Sequence, residues 1–203
     1  MAGAMTRTDK RWTLLSRFRK SRDGAAAIEF ALLAIPFLML IFATFETFLA
    51  FTGEQLMANA VDTMSRKIRT GEITFGLGKP TDMTESEFRE AFCAEIAILR
   101  MCSSTEAATP AKLYLDVRQF TTFADMPKDI PRLSSAATSD LDTSEFAYAP
   151  GGPETKNMVR AYYRWQVMTD LVRPYLTNIR PANKIIPTDY LIVSTSAFQN
   201  EKY

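Results

Sequence analysis

Residues 25–51 read AAAIEFALLAIPFLMLIFATFETFLAF, a run of 27 residues with two ionisable side chains, Glu29 and Glu46, one near each end. As an α-helix rising about 1.5 Å per residue it spans roughly 40 Å, enough to cross the roughly 30 Å hydrocarbon core of a bilayer. Both carboxylates then fall toward the interfaces, where they cost far less than the roughly 2.5–3.5 kcal/mol expected at the centre. No other segment is comparable.

The charge around this run sets its direction. Residues 1–24 carry Arg7, Lys10, Arg11, Arg17, Arg19, Lys20 and Arg22 against Asp9 and Asp23, a net +5, which leaves −4 on the other 179 residues. A basic block before an apolar span stays cytoplasmic, so the residues after Phe51 are expected outside. A secretory signal would have an apolar run of about 7–15 residues and a small-x-small cleavage site after it. Here the run is longer and Phe51-Thr-Gly-Glu-Gln55 leads into a polar helical pattern. Two readings remain: an uncleaved signal anchor, or a segment cut on its cytoplasmic side.

The whole chain has 203 residues, 24 Lys+Arg, 23 Asp+Glu, two Cys and no His. That length holds one modest domain and an appendage. Without histidine there is no Ser-His-Asp or Cys-His catalysis and no His-ligated zinc or haem. We expect neither an enzyme nor a cofactor-binding protein, and no catalytic or metal-ligating residue is assigned.

The junction before the run favours the second reading. Gly24 is followed by Ala25-Ala-Ala-Ile-Glu29-Phe30, which resembles the processing site of the type IV pilin superfamily. There a membrane-embedded prepilin peptidase cuts after a glycine, and the mature chain opens with an apolar helix whose fifth residue is Glu. Counted from Ala25, the fifth is Glu29, and Phe30 follows it as Tyr or Phe does in Flp and TadE-like pilins. Positions 25 and 29 lie one turn apart on one helix face, within reach of each other or of a neighbouring subunit. The resemblance implies that Glu29 pairs with an N-terminal amine; a charge pair in low dielectric is costly to break and so favours one register. Read without it, Glu29 is an interfacial carboxylate and Gly24 a linker residue. Pro36 removes one helical donor, and Ala27, Ala31 and Ala34 form a narrow stripe of small residues.

Beyond the span, Leu56, Ala60, Met64 and Ile68 recur every fourth residue, so the helix is expected to continue over 52–69 and to close at Gly71. Gly76 and Gly78 precede Lys79, but Ile73 and Pro80 occupy positions a phosphate loop needs for Gly and Ser/Thr. Thr84-x-x-Glu87 reads as a capping box opening a helix over 85–100. Cys93 and Cys102 cannot complete a zinc site without histidine. In an exported domain they form a disulfide, the alternative being buried thiols. Strands are expected at 113–118, 159–167 and 190–198, the last one central, in a small antiparallel sheet. The Arg160/Tyr162/Arg164 face reads as solvated, and a domain at −4 lacks the basic footprint of nucleic-acid binding. Residues 125–157, rich in Pro, Ser, Thr, Asp and Gly, read as a long mobile loop.

Arg69-Thr70-Gly71, Phe92-Cys93 with Cys102, Tyr114–Phe120, Tyr163-Arg164-Trp165 and Ala197–Glu201 resemble the corresponding stretches of TadE-like proteins of the tight-adherence (Tad) system, so the resemblance covers nearly everything after Arg22. Gln166 and Asp170 depart from it, standing where related chains often have proline. It implies a minor pilin or pseudopilin of a Tad/Flp (type IVc) pilus acting in surface adhesion. Its partners would be the prepilin peptidase, other minor pilins, the Flp major pilin, the Tad platform proteins and their ATPase. No small-molecule substrate is implied. The expected organisation is a cleaved leader 1–24, a transmembrane helix 25–51 in the inner membrane, its extension 52–70, and a periplasmic α+β domain 71–203. The alternative is an uncleaved, signal-anchored periplasmic protein with no filament role.

Overall fold

The computed structural model describes residues 22–203, with side chains from residue 26 onward. The leader expected at 1–24 therefore lies outside the described residues as far as residue 21. Residues up to Thr44 and residues Phe45–Tyr203 form two compact units.

One helix, α1, runs from Arg22 to Arg69, 48 residues that include Pro36. In its second half a stripe at helical spacing, Met57, Ala60, Val61, Met64 and Ile68, is fully buried. Gly53 permits the helix to close on the sheet, since a Cβ there would stand 3.3 Å from both Ile192 and Trp165 side chains. The helix stops where its sequence indicates. Gly71 takes φ +78° and its N–H donates to the Ile68 carbonyl. The C-terminal chain folds back onto this end: Glu201 N–H donates to the Arg69 carbonyl at 2.9 Å, and the Tyr203 ring covers Gly71.

The turn after α1 is closed by Asp82, whose carboxylate accepts from the Thr74 hydroxyl and from the N–H groups of Leu77, Gly78 and Lys79. The bond from Thr74, with those from the turn amides, holds the carboxyl below its ordinary range. Helix α2 (Glu85–Glu95) opens with the Thr84/Glu87 capping box. It ends five residues earlier than expected. A short 3-10 turn, Ala97–Leu99, and a left-handed Arg100 (φ 51°) reverse the chain, bringing Cys102 to Cys93 with Cα atoms 5.3 Å apart in a disulfide. Helix α3 (Ser104–Ala108) follows. Between α2 and α3 lies a buried polar knot. Arg89 donates to the carbonyls of Ala107, Glu106 and Leu113, while the Glu106 carboxylate accepts from Ala111, Lys112 and Leu113 N–H.

The sheet comprises β1 (Leu113–Phe120), β2 (Tyr148–Ala149), β3 (Lys156–Gln166) and β4 (Asp189–Gln199), in the order β2-β1-β3-β4. β1, β3 and β4 are antiparallel as expected. The two-residue β2 adds in parallel at Val117↔Tyr148 and makes the sheet mixed. β3, not β4, is central. Its residues Asn157 to Tyr163 are all buried, because each of its faces is covered.

One face carries Leu113, Val117, Val159, Ala161, Tyr163 and Ile192 against α1 and α2. The opposite face, expected to be solvated, is covered by residues 126–147 and the β3–β4 connection. Leu141, Tyr162, Ile179 and Leu191 form a second cluster, with Phe146 stacked on Tyr162 at 4.8 Å. The arginines of β3 are tied to this cover: Arg164 pairs with Asp140 at 2.7 Å, and Arg160 donates to the Pro127 and Asp129 carbonyls. A short helix, α4 (Arg173–Leu176), lies in the β3–β4 connection.

Two substitutions test this architecture. Gly71→Ala forces a side chain into the left-handed region and against Tyr203, and should cost at least about 1–2 kcal/mol in chemical denaturation. Arg89→Met leaves buried carbonyls without donors and should cost more than about 2 kcal/mol in the same assay. Wild-type midpoints in either variant would contradict the packing described.

Candidate functional site

The first half of α1 has no core to join. Between Ile28 and Phe51, fourteen large apolar side chains are exposed, Phe30 and Leu33 at 73 % each, and they point to all sides of the helix. A helix apolar all round belongs in lipid or among other helices. By length and composition this helix, with mean hydropathy 2.4 in its most apolar window, meets the requirement for a membrane span and is compatible with a single-pass anchor.

At its start, the backbone of Gly24 and Ala25 is already helical within α1. Residues 25 and 29 are thus separated by one helical turn. Glu29 and Phe30 are exposed, and among the described residues Glu29 makes no ion pair. The other pair of assigned residues, Cys93 and Cys102, lies in the 45–203 unit and braces α2.

Two further carboxylates of α1 have contacts that the sequence did not indicate: Glu46, read there only as an interfacial carboxylate, and Glu54, not singled out. Glu46 accepts from the Met168 and Thr169 N–H groups, the latter at 2.8 Å, and Glu54 accepts from the Tyr190 hydroxyl. They are eight residues apart, about 12 Å along the helix, and they fasten the β3–β4 end of the sheet to α1. Their position, one at the end of an apolar run and one just past it, was the available signal. Burial, reinforced by the bond to Glu54, pushes Tyr190 up to about 12. Among the described residues no group of three or more His, Cys, Asp or Glu is placed to hold a metal ion.

Residues 24–66 match the family model of TadE-like proteins. The match begins at the glycine of the junction and covers both the bare half of α1 and most of the half that enters the core. Comparison with curated proteins and with solved structures gives no match. Residues 24–66 are thus a TadE-like segment, and that family implies involvement in Tad pilus assembly, in association with pilus components in the membrane.

The clasp between Glu54 and Tyr190 has a pH signature. A tyrosine whose folded value lies above the ordinary 10 keeps its contribution below pH 10 and loses it as pH rises toward 12. Tyr190→Phe should therefore be less stable than wild type at neutral pH, with the difference shrinking between pH 10 and 12 in denaturation series. A difference that stays constant across that window would contradict the clasp.

Proposed function

We propose that this chain is a minor pilin or pseudopilin of a Tad/Flp pilus. The observation that carries the reading is the Gly24/Glu29 spacing at the head of a bare apolar helix inside the TadE-like match. Prepilin peptidase cuts after Gly24 on the cytoplasmic side, and the new amine of Ala25 appears one turn from Glu29. The mature helix waits in the inner membrane with residues 52–203 in the periplasm, and later leaves the membrane as the filament or its base is assembled. There the apolar half of α1 exchanges lipid for neighbouring helices. Glu29, unpaired in a low dielectric, makes that exchange favourable only where an amine meets it, so helices join in one register.

On this reading the 45–203 unit is the face offered to other minor pilins and to the Flp major pilin. The platform proteins and ATPase supply the work of extraction. The role is assembly for surface adhesion rather than catalysis, with no cofactor, nucleic acid or small-molecule substrate.

Gly24→Ala should block processing, leaving a band heavier by the leader on immunoblots of cell membranes. Glu29→Val should insert normally yet reduce piliation in a complemented deletion strain. Wild-type processing in the first variant would contradict the cleavage site, and wild-type piliation in the second would contradict the pairing role.

A further inference from the structure

The connection between β3 and β4 carries a surface that the pilin reading does not use. Its two ends meet on one rung, where Val167 N–H donates to the Thr188 carbonyl at 3.1 Å. Glu46 holds its first residues through Met168 and Thr169 N–H. Moving down α1 from Glu54, bonded to Tyr190, to Glu46 covers about 12 Å and enters the last part of the apolar run. A hydrocarbon core of about 30 Å takes roughly 20 residues. Counted from the start of the run at Ala25, it ends within a turn of Glu46. Met168 and Thr169, where the 168–186 connection begins, therefore lie at the depth where the span meets water, while its middle, Ile179 to Ala182, is tied back to the sheet cover.

The composition of residues 168–186 suits that depth. Of the ten large apolar side chains exposed after residue 70, five fall in these 19 residues: Met168 (83 %), Leu171 (54 %), Tyr175 (88 %), Ile185 (92 %) and Ile186 (56 %). Arg180 and Lys184 are exposed among them, and Arg173 pairs with Asp170, so the segment is net positive. Exposed apolar tips with an aromatic and basic residues are the composition of a segment lying in the headgroup region, where anionic lipid adds attraction.

We propose that residues 168–186 form a membrane-surface foot, seated on the anionic headgroups of the leaflet in which the apolar run ends, with Glu46 fixing its depth. The proposal rests on residues 25–51 spanning the bilayer. With the foot seated, the sheet is held upright over the lipid, and releasing it is part of leaving the membrane.

The test uses the full chain in nanodiscs containing anionic lipid and nitroxide-labelled headgroups. An environment-sensitive fluorophore is attached at a single new cysteine, Cys93 and Cys102 being joined to each other. Tyr175→Cys and Ile185→Cys report the foot, Phe37→Cys in discs with mid-chain nitroxides reports the span, and Lys202→Cys reports the far end near Arg69. We expect several-fold greater quenching at 175 and 185 than at 202, with 37 strongly quenched by the mid-chain label. Quenching at 175 and 185 no greater than at 202, with 37 quenched, overturns the foot and leaves the span intact. Absence of quenching at 37 overturns both.

Discussion

A single helix with two solvents is the constraint on which this molecule depends. Fourteen large apolar side chains of α1 are exposed as far as Phe51, whereas from Met57 to Ile68 the same helix supplies the centre of a protein core. Leaving the first set in water would forgo roughly 20 kcal/mol or more, more than a domain of this size normally has in net stability. Lipid or other helices must cover it.

The 45–203 unit is correspondingly stiffened around α1. The sheet is covered on both faces, the β3 arginines are spent on carbonyls and on Asp140 rather than on solvent, and the chain end returns to cap the helix at Gly71 and Tyr203. Glu46 and Glu54 fasten the opposite end of the sheet. Polar contacts are placed at the edges of the packing, and the knot of Arg89 and Glu106 ties α2 and α3 to β1 where backbone groups would otherwise be stranded.

Much of this was legible from residues alone, for identifiable reasons. The long apolar helix, its continuation to Arg69, the Thr84 capping box and the three antiparallel strands each follow from local periodicity or local hydrogen bonding. What was not legible depends on partners distant in sequence. The Arg160/Tyr162/Arg164 face alternates as a solvated face would, and only the return of residues 126–147 buries it. β4 is apolar enough to read as central, yet β3 takes that place because it pairs with both β1 and β4. Glu46 reads as a carboxylate tolerated at an interface until Met168 and Thr169, over a hundred residues later, supply its donors.

The TadE-like match and the bare helix together make processing at Gly24 the hinge of the functional account. The most direct measurement is the intact mass of the chain recovered from its native membrane, in cells with and without prepilin peptidase. The account predicts a mature chain beginning at Ala25 only when the peptidase is present. A chain that retains the basic leader in both samples would contradict it and would make the protein an anchored periplasmic one, with Glu29 no more than an interfacial carboxylate.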